Sequence, residues 1–126
     1  MMSLFQGINV VSITVTDLDK GRAFYRDVLG FGEPVYDLPE MGWIEFKTGS
    51  TAGNISLVPP EGEWQPSNST SIVLNTPDCT AAVQALRAKG VRCDDPVNVP
   101  GMVNYFSFYD PFGNRLQGCS EPLPAE

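Results

Sequence analysis

The chain has 126 residues, 42% of them apolar, and a net charge of -7, which suits one globular domain that buries its core without disulfide or metal staples. No run approaches the ~18 uninterrupted apolar residues of a membrane span, and the acid surplus repels phosphate backbones and anionic lipid, so nucleic acid and membrane are set aside as partners. Histidine is absent, which removes the commonest general base and the commonest transition-metal ligand.

Residues 8–15, INVVSITV, alternate as a strand, with Val11, Ile13 and Val15 on one face and Val10, Ser12 and Thr14 on the other. The following TDLDKGRAFYRDVLGF predicts a helix with Thr16 or Asp17 as N-cap and Asp19 in its first turn. Leu18, Phe24, Val28 and Leu29 form its apolar stripe, and Gly30 stands just past its end. Three short strands are predicted around Pro34 to Leu38, Gly42 to Lys47 and Asn54 to Val58, joined by tight turns as an antiparallel meander. PPEGEWQPSNST, residues 59–70, carries three prolines without periodicity and reads as a crossing segment.

The pattern then begins again. SIVLNTPD is a strand running into a cap, CTAAVQALRAKG a helix with Ala82, Val83 and Leu86 inward, and VRCDDPVNV, MVNYFSFYD and NRLQGCS supply three more strands. Asp17 to Asp78, Val10 to Ser71 and Ser56 to Gln117 are each 61 residues apart, while Gly30 to Gly90 is 60. One constant offset that slips only inside the helix is the mark of a duplicated unit. The expected fold is α+β, one domain of two βαβββ modules, the first over about 6–60 and the second over about 70–120.

Strand parity divides the side chains into two layers. Val11, Ile13, Val15, Ile44, Phe46, Ile55, Leu57, Ile72, Leu74, Phe106, Phe108 and Leu116 form the core under the helices. The opposite face carries Val10 and Ser12; Trp43, Glu45 and Lys47; Asn54 and Ser56; Ser71; Tyr105 and Ser107; and Gln117. That face is either the wetted side of a one-faced sheet or the lining of a ligand concavity, and the rings of Trp43 and Tyr105 at equivalent places favour the concavity. Cys79, Cys93 and Cys119 form no C-x-x-C pair and leave an odd thiol under any pairing, so they are read as reduced. MMSLFQGINVV has neither a basic leader nor a small-residue cleavage site, and a cytoplasmic location is expected.

The helix start TDLDKGRAFYRDVLGF and the later YDPFGNRLQ together resemble the vicinal oxygen chelate superfamily, which includes glyoxalase I, extradiol dioxygenases, fosfomycin resistance proteins and bleomycin-resistance proteins. The resemblance runs from about Ile8 to Gln117. It implies a cup-shaped, eight-stranded mixed sheet with helices on the outer face, and a homodimer. It also implies a divalent metal held by four side chains, whose places here fall on Val10, Ser56, Ser71 and Gln117. None is a histidine or a carboxylate, and valine, two serines and one amide do not make a Zn²⁺, Fe²⁺ or Ni²⁺ site. No metal and no other cofactor is therefore expected, and only Glu45 on the same face could reach a hard cation.

The resemblance thus leads to a metal-independent protein that binds a small organic ligand, aromatic or cationic, as bleomycin-resistance proteins do. Val10, Ser12, Trp43, Glu45, Ser56, Ser71, Tyr105 and Gln117 are its expected ligand-binding residues. Two other functions are weighed against it. One is a metal-independent lyase or isomerase with Glu45 as base, and the other a docking module with no ligand at all.

Overall fold

The computed structural model describes residue 4 and residues 8–49, 53–66 and 72–124. Ser71, the first residues of the first module and the 67–70 end of the crossing segment lie outside these. The chain divides into two compact units, Met1–Trp64 and Gln65–Glu126.

The first unit opens with β1 (Val10–Thr14) and continues into helix α1 (Leu18–Ala23). Asp17 is the N-cap, its carboxylate accepting the Lys20 backbone N–H at 3.0 Å. α1 then widens into a π-helical turn over Phe24–Val28, closed by the Leu29 N–H donating to the Phe24 carbonyl. Because of this wider turn, the neighbours Phe24 and Tyr25 are both buried, their rings edge to face at 5.2 Å. Tyr25 also meets Phe31 and Phe46. The α-helical stripe predicted Phe24 but not Tyr25.

After β2 (Tyr36–Leu38), a 3₁₀ turn over Pro39–Met41 ends on Gly42 at φ 70, a left-handed conformation open to glycine. β3 (Trp43–Phe46) and β4 (Asn54–Val58) follow. The sheet order is β1-β4-β3-β2, with β1 parallel to β4 and the other pairs antiparallel. α1 packs near β4, and Arg22 donates to both carboxylate oxygens of Asp37 on β2, at 2.9 and 2.7 Å. That fork and the Asp19 carboxylate raise the Arg22 pKa above its ordinary value.

The second unit repeats the plan. It runs through β5 (Val73–Asn75), α2 (Cys79–Ala88), β6 (Val97–Val99), β7 (Val103–Tyr109) and β8 (Arg115–Ser120), in sheet order β5-β8-β7-β6. Asp78 caps α2 as Asp17 caps α1, accepting the Ala81 N–H at 3.2 Å. The pairing Ser12↔Ser56 in the first sheet reappears as Val73↔Gln117 in the second, so both strands carry the 61-residue offset.

The expected core is buried at Ile13, Val15, Ile44, Phe46, Ile55, Leu57, Phe106, Phe108 and Leu116, while Ile72 and Leu74 are half-buried. Val11 departs from the expectation, remaining 37% exposed. β1 is an edge strand, and the chain turns into α1 at its far end, where Ile13 and Val15 lie.

Gly118 on β8 faces Phe106 directly across the sheet, and a Cβ there would stand 2.5 Å from the Phe106 ring. Gly118→Ala should therefore destabilise the fold by about 1–3 kcal/mol through overpacking. Denaturant unfolding checks this, and an unchanged midpoint contradicts it.

Candidate functional site

The face opposite α1 gathers the first unit's polar residues through two register facts. Ser12 pairs with Ser56 across β1 and β4, and Glu45 pairs with Ser56 across β4 and β3. Ser12, Ser56 and Glu45 therefore form one row across three strands, extended by Tyr36, which pairs with Glu45 on β2. Ser12 and Ser56 share a 2.7 Å hydrogen bond between their hydroxyls, and Ser56 is fully buried.

Glu45 is the chemical centre of this row. The residue is only 8% exposed, although Tyr36 and Lys47 beside it on the same face are open to solvent. The Trp43 indole Nε1–H donates to Glu45 Oε1 at 3.0 Å, and the Asn54 amide Nδ2–H donates to Oε2 at 2.7 Å. Two neutral donors thus hold the carboxylate in a fixed orientation, one on its own strand and one on β4. A carboxylate taken out of water needs such donors or a cation.

Glu45 lines a pocket of about 500 Å³, together with Asn9, Val35, Tyr36, Lys47 and Asn54. Val35 is drawn in because its N–H donates to the Glu45 carbonyl at 2.8 Å, extending the β2–β3 pairing by one residue. Parity had placed Lys47 and Asn54 on this face without marking them. Tyr36, Val35 and Asn9 had no signal of their own, because the register of β2 and the path into β1 decide that they reach the cavity. Val10 is half-buried at the start of β1, opposite Asn54.

In the second unit, Ser107 pairs with Gln117 as Glu45 pairs with Ser56. The Gln117 amide donates to Ser107 Oγ at 3.2 Å. Tyr105, two residues before Ser107 as Trp43 is two before Glu45, is half-buried and pairs with Val97 and Cys119. The second copy of the row is therefore neutral where the first is anionic.

Three of the four places where the resemblance puts a metal ligand can be tested against these contacts; Ser71 lies outside the described residues. Val10 has no donor atom, the Ser56 hydroxyl is tied to Ser12, and the Gln117 amide is turned toward Ser107. Among the described residues, no group of three or more His, Cys, Asp or Glu side chains could hold a metal ion. Residues of this kind do not fit a divalent transition metal. The cysteines offer no substitute. Cys79 is buried, donating to the Asn104 carbonyl at 3.3 Å, and burial pushes the Cys93 thiol pKa up.

Two βαβββ units in matching register define a duplicated-module α+β protein with a polar row on one face of each sheet. The model of the Glyoxalase/Bleomycin resistance protein/Dioxygenase superfamily matches residues 7–117, and the chain belongs to that superfamily. Among solved structures it is similar to TnmS3, an antibiotic binding protein from Streptomyces sp. CB03234, at 25% identity and TM-score 0.80, covering 95% of this chain and 99% of that one. A glyoxalase/bleomycin resistance protein from the same Streptomyces is 27% identical with TM-score 0.71, over 90% of this chain and 98% of that one. A lactoylglutathione lyase from Agrobacterium tumefaciens shares the fold at 21% identity and TM-score 0.72, over 94% and 96%. No curated protein matches the chain. No helix among the described residues is long and apolar enough to cross a membrane.

The Ser12–Ser56 pair gives a direct check on the row. Ser12→Ala should cost about 1 kcal/mol, because it leaves the buried Ser56 hydroxyl without its partner, and adding Ser56→Ala should recover part of that loss. Chemical denaturation of the two single variants and the double variant measures the coupling, and strictly additive losses contradict it.

Proposed function

We propose that this protein is a metal-independent binder of a small organic molecule, aromatic or cationic in character. The observation that carries this function is Glu45. Among the described residues no cation pairs with this buried carboxylate, yet it is held in place by Trp43 and Asn54 at the wall of a 500 Å³ pocket. A ligand ammonium or amidinium group would supply the missing counter-charge. The Trp43 and Tyr36 rings on the same face offer surfaces for stacking and for cation–π contact.

Likeness to an antibiotic binding protein supports sequestration over chemistry. The residues at Val10, Ser56 and Gln117 support independence from metal. Glu45 is the first unit's ligand-facing residue, Trp43 holds it and adds its ring to the same face, and Ser56 lies buried behind the pocket lining. Ser12 backs Ser56, and Tyr105 and Gln117 mark the equivalent surface of the second unit. We also take the protein to be cytoplasmic and a homodimer, the association supported by apolar side chains left exposed on edge strands, Val11, Val73 and Val97 among them.

A metal-independent lyase or isomerase with Glu45 as base stands second. Both oxygens of that carboxylate already accept hydrogen bonds, an arrangement better suited to holding a ligand than to removing its proton. Glu45→Gln separates the two functions, since loss of affinity marks a binder, whereas retained affinity with lost turnover marks an enzyme.

A thermal-shift screen of aromatic, cationic and carbonyl compounds tests the function directly. Aromatic cations should raise the wild-type melting temperature, and Glu45→Gln should weaken the best of them roughly tenfold, the worth of one charge-assisted contact. Protein purified without chelator should carry no stoichiometric metal by elemental analysis. Stoichiometric Zn, Ni, Fe or Mn, or no stabilisation by any compound, contradicts the proposal.

A further inference from the structure

We infer that the first unit's pocket takes an amphoteric ligand, one bearing a cationic and an anionic group about 7 Å apart on a planar spacer, rather than a simple cation. This rests on the binding function proposed above and specifies the ligand's chemistry.

Glu45 and Lys47 both line the pocket. They are separated by one residue along the chain, so their stems rise from the same face of the sheet about 7 Å apart. Opposite charges so placed would ordinarily meet. Elsewhere in the described structure arginines do find nearby acids, as in Arg22 with Asp19 and Asp37, Arg26 with Asp27 and Arg87 with Asp95.

Neither Glu45 nor Lys47 belongs to any ion pair among the described residues. Glu45 instead accepts a hydrogen bond on each oxygen from a neutral donor, which fixes the carboxylate's direction. The pocket thereby keeps a positive and a negative point side by side, neither neutralised by another described residue. An ammonium has donors only and takes a carboxylate, sulfonate or phosphate, while a carboxylate has acceptors only and takes an ammonium or amidinium. Tyr36, directly opposite Glu45 on β2, lines the same cavity and offers a ring face to a flat spacer.

Titration calorimetry with three matched probes tests this. Para-(aminomethyl)benzoate carries both charges across one ring, benzylamine carries the cation alone and benzoate the anion alone. The amphoteric probe should bind wild-type protein at least about tenfold more tightly than either single-charge probe. Lys47→Met should abolish its advantage over benzylamine, and Glu45→Gln its advantage over benzoate. Circular dichroism should show both variants folded.

Benzylamine binding as tightly as the amphoteric probe, with Lys47→Met indifferent, overturns the amphoteric assignment and leaves the cation-binding function standing. Benzoate binding as tightly, with Glu45→Gln indifferent, overturns both. Absence of binding by all three probes also overturns both.

Discussion

Everything on the face opposite the core layer depends on the parallel pairing of the first and last strands within each module. β1 and β4 lie in register Ser12↔Ser56, and β5 and β8 in register Val73↔Gln117. Side chains alternate along a strand, so a slip of one residue would send Ser56 into the core and Ile55 or Leu57 to the pocket side. The register thus decides at once which layer packs under the helix and which residues line the opposite face. Glu45 inherits its position from the same constraint, because β3 is zipped to β4 at Ser56.

The two copies use one scaffold for different chemistry. In the first, the row is Ser12, Ser56 and Glu45, with Trp43 and Asn54 holding the carboxylate. In the second, it is Val73, Gln117 and Ser107, closed by an amide-to-hydroxyl hydrogen bond. The core layers remain alike, with Ile44 and Phe46 answered by Phe106 and Phe108. Duplication has kept what folding requires and let the other face diverge, so that only the first unit's row carries a carboxylate. Fold and function are separable here down to the parity of single residues.

Much of this was legible in the sequence. Asp17 and Asp78 announced the two helix starts, the 61-residue offset revealed the repeat, and strand parity put Glu45, Trp43, Ser56 and Gln117 on the face opposite the core layer. Four features were not legible, each for a physical reason. Tyr25 is buried because a π-helical turn breaks the α-helical period on which a stripe is counted. Val11 stays exposed because its strand lies at the sheet edge, which alternation does not register. Tyr36 reaches the cavity because β2 pairs with β3 at Glu45, a register set by the turn through Pro39 and Gly42 and not by the composition of β2. Lys47 has the parity of Glu45, but nothing in a linear pattern shows that neither finds an ionic partner among the described residues.

The central claim is that a small organic ligand, and not a metal ion, engages the face organised by Glu45. The Trp43 indole N–H reports on this most directly, because it is bonded to the Glu45 carboxylate itself. In a two-dimensional ¹H–¹⁵N NMR titration, an organic cation that binds should move the Trp43 indole cross-peak together with the amides of Tyr36, Glu45 and Lys47. Stoichiometric Zn²⁺ or Ni²⁺ should leave those resonances in place. The contrary result, a metal that perturbs them at one equivalent while organic ligands shift only distant residues, would contradict the account.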